Sequence, residues 1–124
     1  MGAFARPVQL ANTAEYLKQE DLIGGVVCGD MNIIGPSDLH IHDAAGLVDA
    51  WQGENEEDGY TWGYQPECQF PPGRLDRVFY TQASTRRCKI SPPERVAIDV
   101  MTDGEWVSDH YGLLTTISIL DEAQ

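Results

Sequence analysis

Asp30 and Asn32 stand two residues apart in Gly29-Asp-Met-Asn32, directly after the apolar run Gly25-Val-Val-Cys28. Strand side chains alternate, so a carboxylate and an amide would project together from a strand end, with Met31 opposite. Such a pair can take a proton from water, or orient it, and donate an N–H to a phosphate oxygen. The same residues also read as a turn that Asp30 starts and in which Asn32 is left-handed. Ser108-Asp109-His110 is the second candidate. A neighbouring Asp and His cannot share a strand face, so both act only from a loop or a strand edge. Asp109 could then help hold a divalent cation and His110 could meet a phosphate oxygen; alone, the tripeptide reads better as a surface turn. Asp76 is the third, a carboxylate in the otherwise apolar stretch Arg74–Thr81. A buried carboxylate needs a partner. Arg74 offers a structural ion pair. His110 offers a functional one, because an Asp behind a His fixes the tautomer and favours the imidazolium.

Other features carry less. His40-x-His42, flanked by Asp38 and Asp43, could bind a metal, but a solvated helix start is the better reading. Trp51, Trp62 and Trp106 suit a core or a lid, and Trp62 precedes the Asp76 strand closely enough to stack on a ligand. The acid run Glu54, Glu56, Glu57, Asp58 reads as a solvated loop. Glycine-rich phosphate loops, G-x-S-x-G and H-E-x-x-H are absent from the sequence.

The elements that must position these residues fit one domain. The chain has 124 residues, 42% of them hydrophobic, enough for one core. Twenty acidic residues against eight basic ones give a net charge of -12, which argues against binding nucleic acid by charge alone and suits a cation. Five of the eight basic residues fall between Arg74 and Lys89, so the charge is segregated. Cys28, Cys68 and Cys88 are odd in number and widely spaced, which speaks against a disulfide framework or structural zinc and for a reducing compartment. With no secretory leader and no apolar run of membrane-spanning length visible, an intracellular location, nucleus or cytoplasm, is expected.

The pattern is α/β and dominated by strands towards the C-terminus. Leu10, Ala14 and Leu17 recur at helical spacing and predict a helix from Arg6 to Gln19. Gly25–Cys28 predicts a buried strand, and Ser37 is a plausible N-cap for a short helix ending near Gly46. Leu47–Trp51 reads as extended chain or a tight turn, and Gln52–Gly73 as loop. In the strand Arg74–Thr81, Leu75, Arg77 and Phe79 share one face, and Asp76, Val78 and Tyr80 the other. Arg86–Lys89 reads as a basic connection, Arg95–Val100 as a strand, Thr102–Ser108 as a loop, and Tyr111–Leu120 as a final strand buried on both faces.

Gly29-Asp-Met-Asn32, Asp49-Ala-Trp51, Tyr60-Thr-Trp62, Arg74-Leu-Asp-Arg-Val-Phe79 and Ser108-Asp-His110-Tyr-Gly-Leu113 follow one another in an order that resembles the endonuclease/exonuclease/phosphatase superfamily. Arg6 and Gln9 look like part of that family's helix before the G-D-x-N strand. The wording of the motifs is most similar to the 5′-tyrosyl-DNA phosphodiesterase branch. The resemblance implies the C-terminal half of a two-layer α/β sandwich (DNase I-like), mainly antiparallel with few helices, and Mg²⁺-dependent phosphodiester hydrolysis, with Mn²⁺ as a substitute ion. It implies that Asp30 acts on the attacking water, Asn32 binds the phosphoryl group, His110 contacts a phosphate oxygen, Asp76 orients and charges His110, and Asp109 sits next to the metal. Trp62 matches a residue that lines the branch's DNA groove. Arg77, from the basic stretch, is expected to bind substrate too.

The family's domain is about twice this length, so residues 1–124 are expected to form a single, truncated domain lacking the half that supplies the Asn and Glu at the metal. Asp30 and Asp109 alone would ligate Mg²⁺ weakly, so turnover is expected to be impaired. The exposed sheet face would invite dimerisation. Two other functions fit the same residues: hydrolysis of a small phosphoester, and a catalytically inactive interaction module.

Overall fold

The computed structural model describes residues 5–34 and 38–120. Helix α1 (Ala5–Leu17) comes first, then strand β1 (Val26–Asp30), a single helical turn α2 (Ile41–Ala44) and strand β2 (Leu47–Asp49). A 3-10 turn at Glu56–Gly59 interrupts the long loop to strand β3 (Asp76–Thr81). The turn α3 (Ser84–Arg87) leads into short strands β4 (Cys88–Ile90), β5 (Glu94–Val96), β6 (Met101–Thr102), β7 (Glu105–Trp106), β8 (Gly112–Leu114) and β9 (Ile117–Ile119). The chain is α/β, mainly antiparallel, with few helices.

The β3 strand is central, flanked by β1 and β2 in an antiparallel order β1-β3-β2. Its position explains why Phe79 is completely buried. Leu10 and Ala14, one helical turn apart, press α1 onto Phe79, Ile33, Ile41, Ala45 and Leu47, with Val27 and Met31 at the margin. Helices thus cover one face of the sheet. The register pairs Val27 with Phe79 on that covered face, and Asp30 with Asp76, Cys28 with Val78 and Val26 with Tyr80 on the other.

A buried hydroxyl pair locks the open end of this sheet. Thr81 Oγ1 and Ser84 Oγ lie 2.8 Å apart and accept the Gly25 N–H at 3.1 and 3.0 Å. The backbone at Gly24 passes so close that a Cβ there would fall 2.3 Å from Ser84 Oγ, so glycine is required.

Elsewhere the segment readings need correction. The Arg95–Val100 strand stops at Val96, because Ala97 and Asp99 take positive φ (55° and 61°). Thr102–Ser108 is no plain loop: β6 and β7 form a hairpin whose turn, Asp103-Gly104, has positive φ at both residues. Part of the basic connection is helical, as α3. The last strand is two: β8 pairs with β5 and β9 with β4. Between them Thr116 and Ser91 bond through Ser91 N–H to Thr116 O (2.9 Å) and Thr116 N–H to Ser91 Oγ (2.8 Å). Far from being buried on both faces, β9 is exposed at all three residues. Ser37 lies outside the described residues, as does any cap it makes.

Candidate active site

Four of the expected residues, Asp30, Asp76, Asp109 and His110, converge. The β1/β3 register sets Asp30 directly opposite Asp76 on the face turned away from α1. His110 arrives from the loop before β8 and places Nδ1 2.6 Å from Asp76 Oδ2, while its Nε2 lies 3.8 Å from Asp30 Oδ2 and 3.9 Å from Asp109 Oδ1. Asn32 follows at the end of β1, exposed. Of the two partners open to Asp76 in the sequence, His110 takes the place; Arg74 does not.

Gly-Asp-Met-Asn takes the turn conformation that the sequence allowed, because β1 ends at Asp30. Asp30 Oδ1 accepts the Asn32 N–H at 2.8 Å and Asn32 has φ +54°, which is the Asx turn. That turn leaves Oδ2 to face His110. Gly29 has φ +145°, a conformation that L side chains rarely adopt, so a glycine immediately before Asp30 lets the strand end turn into the site.

His110 is held on several sides. Its backbone bridges to Trp62, its N–H reaches Ser108 Oγ at 3.0 Å, and the next N–H, of Tyr111, reaches Thr61 O at 2.7 Å. Gln65, 2% exposed, donates Nε2 to Ser108 O (2.9 Å) and His110 O (3.3 Å), and accepts the Asp99 N–H on Oε1 at 2.7 Å. Thr61, fully buried, accepts the Asp76 N–H on Oγ1 at 3.2 Å. Sequence reasoning missed both positioning residues. Gln65 carries no signal beyond a glutamine in a loop, but Thr61 lies inside the Tyr60-Thr-Trp62 motif. Burial works against a charged His110, but the Asp76 hydrogen bond and the charges of Asp76, Asp30 and Asp109 outweigh it and raise its pKa above the ordinary imidazole value.

The structure does not bring Arg77 to this cluster. Strand alternation turns it to the face opposite Asp76, where it is 3% exposed and donates Nε to Arg74 O at 2.9 Å. Burial and the nearby Arg74 charge, opposed by Asp49 and Glu56, lower its pKa to about 10. Arg74 forks onto Asp49 (3.3 and 2.7 Å), reaches Glu56 at 3.0 Å, and lies over the Trp51 ring. The acid run is therefore not merely solvated: Glu56 straps the long loop to β3. Arg86, Arg87 and Lys89 sit on α3 and β4, beyond the end of β3 opposite Asp76.

Two depressions open beside the site. One, about 510 Å³, runs from Asp30, Met31 and Asn32 to Arg6, Gln9 and Thr13 of α1. Arg6 there is ion-paired with Asp38. The other, about 330 Å³ and apolar, is walled by Trp62, Phe70, Pro71, Pro72, Ile33 and Ile34. Ile33 follows Asn32 directly, so this groove leads away from the carboxylates.

The donor set fits a hard cation. Asp30 and Asp109 each bring an exposed carboxylate within 4 Å of His110 Nε2, and Asp30, Asp76 and His110 offer ligand atoms within 4.8 Å of one another. One or two carboxylates completed by water and substrate oxygens are what Mg²⁺ ordinarily takes.

The family model described as the Endonuclease/Exonuclease/phosphatase family matches residues 6–110, a span that includes every residue of this cluster. The chain belongs to that family. Among solved structures, this family member is similar to the crystal structure of D. rerio TDP2 complexed with single-strand DNA product, at 22% identity and a TM-score of 0.69, covering 94% of this chain and 50% of that one. It is equally similar to humanized D. rerio TDP2 carrying 14 mutations, at 24% identity and a TM-score of 0.70, covering 94% and 49%. These likenesses show the fold, that of a DNase I-like domain, and the chain spans about half the length of each. No curated protein sequence matches it.

Proposed function

We propose that the chain carries the phosphoryl-binding and water-activating residues of a phosphodiesterase acting at DNA ends, in the manner of the tyrosyl-DNA branch it resembles. The observation that carries this reading is His110, gripped by Asp76 at 2.6 Å and facing Asp30 at 3.8 Å. With Nδ1–H given to Asp76, a protonated His110 presents Nε2–H to a phosphate oxygen. At 3.8 Å the Asp30 and His110 side chains leave no space for a phosphoryl group between them, so it lies across their open edge. Asn32, exposed two residues after Asp30, is proposed to donate its amide N–H there.

In the proposed step a water oxygen bonds to phosphorus, its proton passes to Asp30, and the bond from phosphorus to the leaving oxygen breaks. A tyrosyl phenolate suits this arrangement, because a phenol with pKa of about 10 needs little protonation to depart. Asp109 and Asp30 would hold Mg²⁺, which when bound supplies charge neutralisation for the reacting phosphoryl oxygens. A protonated His110 lies within 4 Å of both carboxylates and its charge opposes the cation, so the chain alone is proposed to turn over slowly. Its uncovered sheet face is proposed to pair with a second copy.

The apolar groove at Trp62 and Phe70 favours a nucleobase over a small phosphoester, since every base offers a face for stacking. Calorimetry in Mg²⁺ should therefore find a 5′-phosphotyrosyl oligonucleotide binding at least tenfold more tightly than an inositol phosphate or a mononucleotide. Equal affinities would move the substrate to the small phosphoesters. Binding of none of them would favour an inactive interaction module. Fast Mg²⁺-dependent hydrolysis by the chain alone, abolished in both Asp30→Ala and His110→Ala, would overturn the proposed weakness.

A further inference from the structure

A second group of ligating side chains lies on the helix-covered side of the sheet, where the proposed reaction makes no use of it. His40, His42 and Asp43, at the start of α2, bring ligand atoms within 4.8 Å of one another. Asp43 stands between the two rings: Oδ2 is 3.6 Å from His40 Nδ1, and Oδ1 is 3.5 Å from His42 Nε2. Neighbouring donors around a tetrahedral Zn²⁺ with bonds of about 2.0–2.1 Å are separated by roughly 3.3 Å, so little movement is needed to close on an ion.

The spacing follows from local structure. Adjacent i and i+2 positions diverge on a regular helix, but His40 precedes α2 with φ -122° and ψ 25°. The His42 ring is anchored: it stacks on Phe79, the completely buried centre of β3, with centroids 5.1 Å apart, and its side chain is 12% exposed. His42 Nδ1 is buried without a hydrogen-bond partner, which leaves Nε2, the nitrogen facing Asp43, as the one available for a ligand. His40 and Asp43, 78% and 69% exposed, are free to adjust to it. A depression of about 340 Å³, lined by His40, His42, Asp49 and Arg77 among others, gives room for water to complete the coordination.

We propose that His40 Nδ1, His42 Nε2 and Asp43 form a binding site for a divalent transition metal, of which Zn²⁺ is the natural probe. Two imidazoles with one carboxylate suit zinc, copper or nickel and not Mg²⁺, which takes oxygen ligands. The site is thus chemically distinct from the cluster at Asp30.

The test is a Zn²⁺ titration of the full chain followed by the ring nitrogen resonances of each histidine. Zn²⁺ is expected to shift both His40 and His42 before His110, with Mg²⁺ at the same concentrations leaving them in place. His40→Ala and Asp43→Asn alter exposed side chains, so folding is preserved, and each should weaken the His42 shift at least tenfold in Zn²⁺ concentration. Unmoved His40 and His42 signals, or a His42 response that both variants leave unchanged, would overturn the proposal. A response confined to His110 would do so as well, by locating all zinc at the other cluster.

Discussion

Asp76 governs His110 from β3, and the consequence is a titration that one substitution removes. Asp76→Asn keeps the shape and discards the charge, so the His110 pKa should fall towards or below its ordinary value, as read by an NMR titration of the ring. The sign for stability follows from the raised folded pKa. The stabilisation is fully present below the unfolded histidine value of about 6.5 and is lost as pH rises through the higher folded one. Denaturation free energies of the wild type should decline across that window, and those of Asp76→Asn should decline less; parallel curves would show that Asp76 does not charge His110. Gln65 acts by position alone. Gln65→Ala strips a partner from Ser108 O, His110 O and the Asp99 N–H, which should cost about 1–3 kcal/mol and expose the Asp99 amide to hydrogen exchange. The charged residues of the site were legible because motifs in a fixed order named them. Gln65 was not, since a loop glutamine reveals its partners only when residues 34, 43 and 45 positions away in sequence come together.

Alternation along β3 decides which side each charge serves, and it corrects the one misplaced residue. Asp76 and Arg77 are neighbours and so face opposite ways; the parity that puts Asp76 at the site takes Arg77 from it. Arg77 and Arg74 instead share Asp49 and Glu56, which bind the long loop to the sheet. Asp49→Ala leaves two buried guanidinium groups without their nearer carboxylate. Breaking a buried pair from one side costs about 3–5 kcal/mol, to be read as a lowered urea midpoint. A cost below 1 kcal/mol would mean that Glu56 and water suffice. Strong, regular elements were readable in advance: α1 from its Leu10-Ala14 stripe, β1 and β3 from their apolar runs, although β1 is not the buried strand expected, with Val26 and Val27 half-buried and Cys28 exposed. The weak ones were not. Positive φ at Ala97 and Asp99 ends β5 where the hydrophobic pattern continues, and Asp103-Gly104 turns a hairpin that its own sequence does signal. The break between β8 and β9 is set by Ser91, far away in sequence, and no local pattern announces it.

Among the described residues no helix covers the sheet face that carries the site, and this shapes the whole molecule. A depression of about 400 Å³ lies between Val26, Cys28 and Val78 and the segment from Tyr111 to Ile117. It continues through Val26 and Ile117 into another of about 290 Å³ bounded by Ile90, Cys88 and Ile119. Leu114, Ile117 and Ile119 stand 51%, 49% and 66% exposed along it. An apolar strip of this kind tends to find a partner, and a stable pairing would bury on the order of 1,200–2,000 Å² in all. The net charge of -12 opposes pairing of two copies, so the two influences have opposite salt dependence. Screening weakens the repulsion and leaves the apolar contact intact. Sedimentation velocity should therefore show association that rises with protein concentration and strengthens between low and physiological salt. Ile117→Thr combined with Ile119→Thr keeps the β-branched shape and the charge, and at exposed positions should cost within about 0.5 kcal/mol per site in folding, yet it should return the chain to a monomer. A wild type that stays monomeric at every salt concentration, or a double variant that associates equally well, would show that this face needs no cover of its own kind.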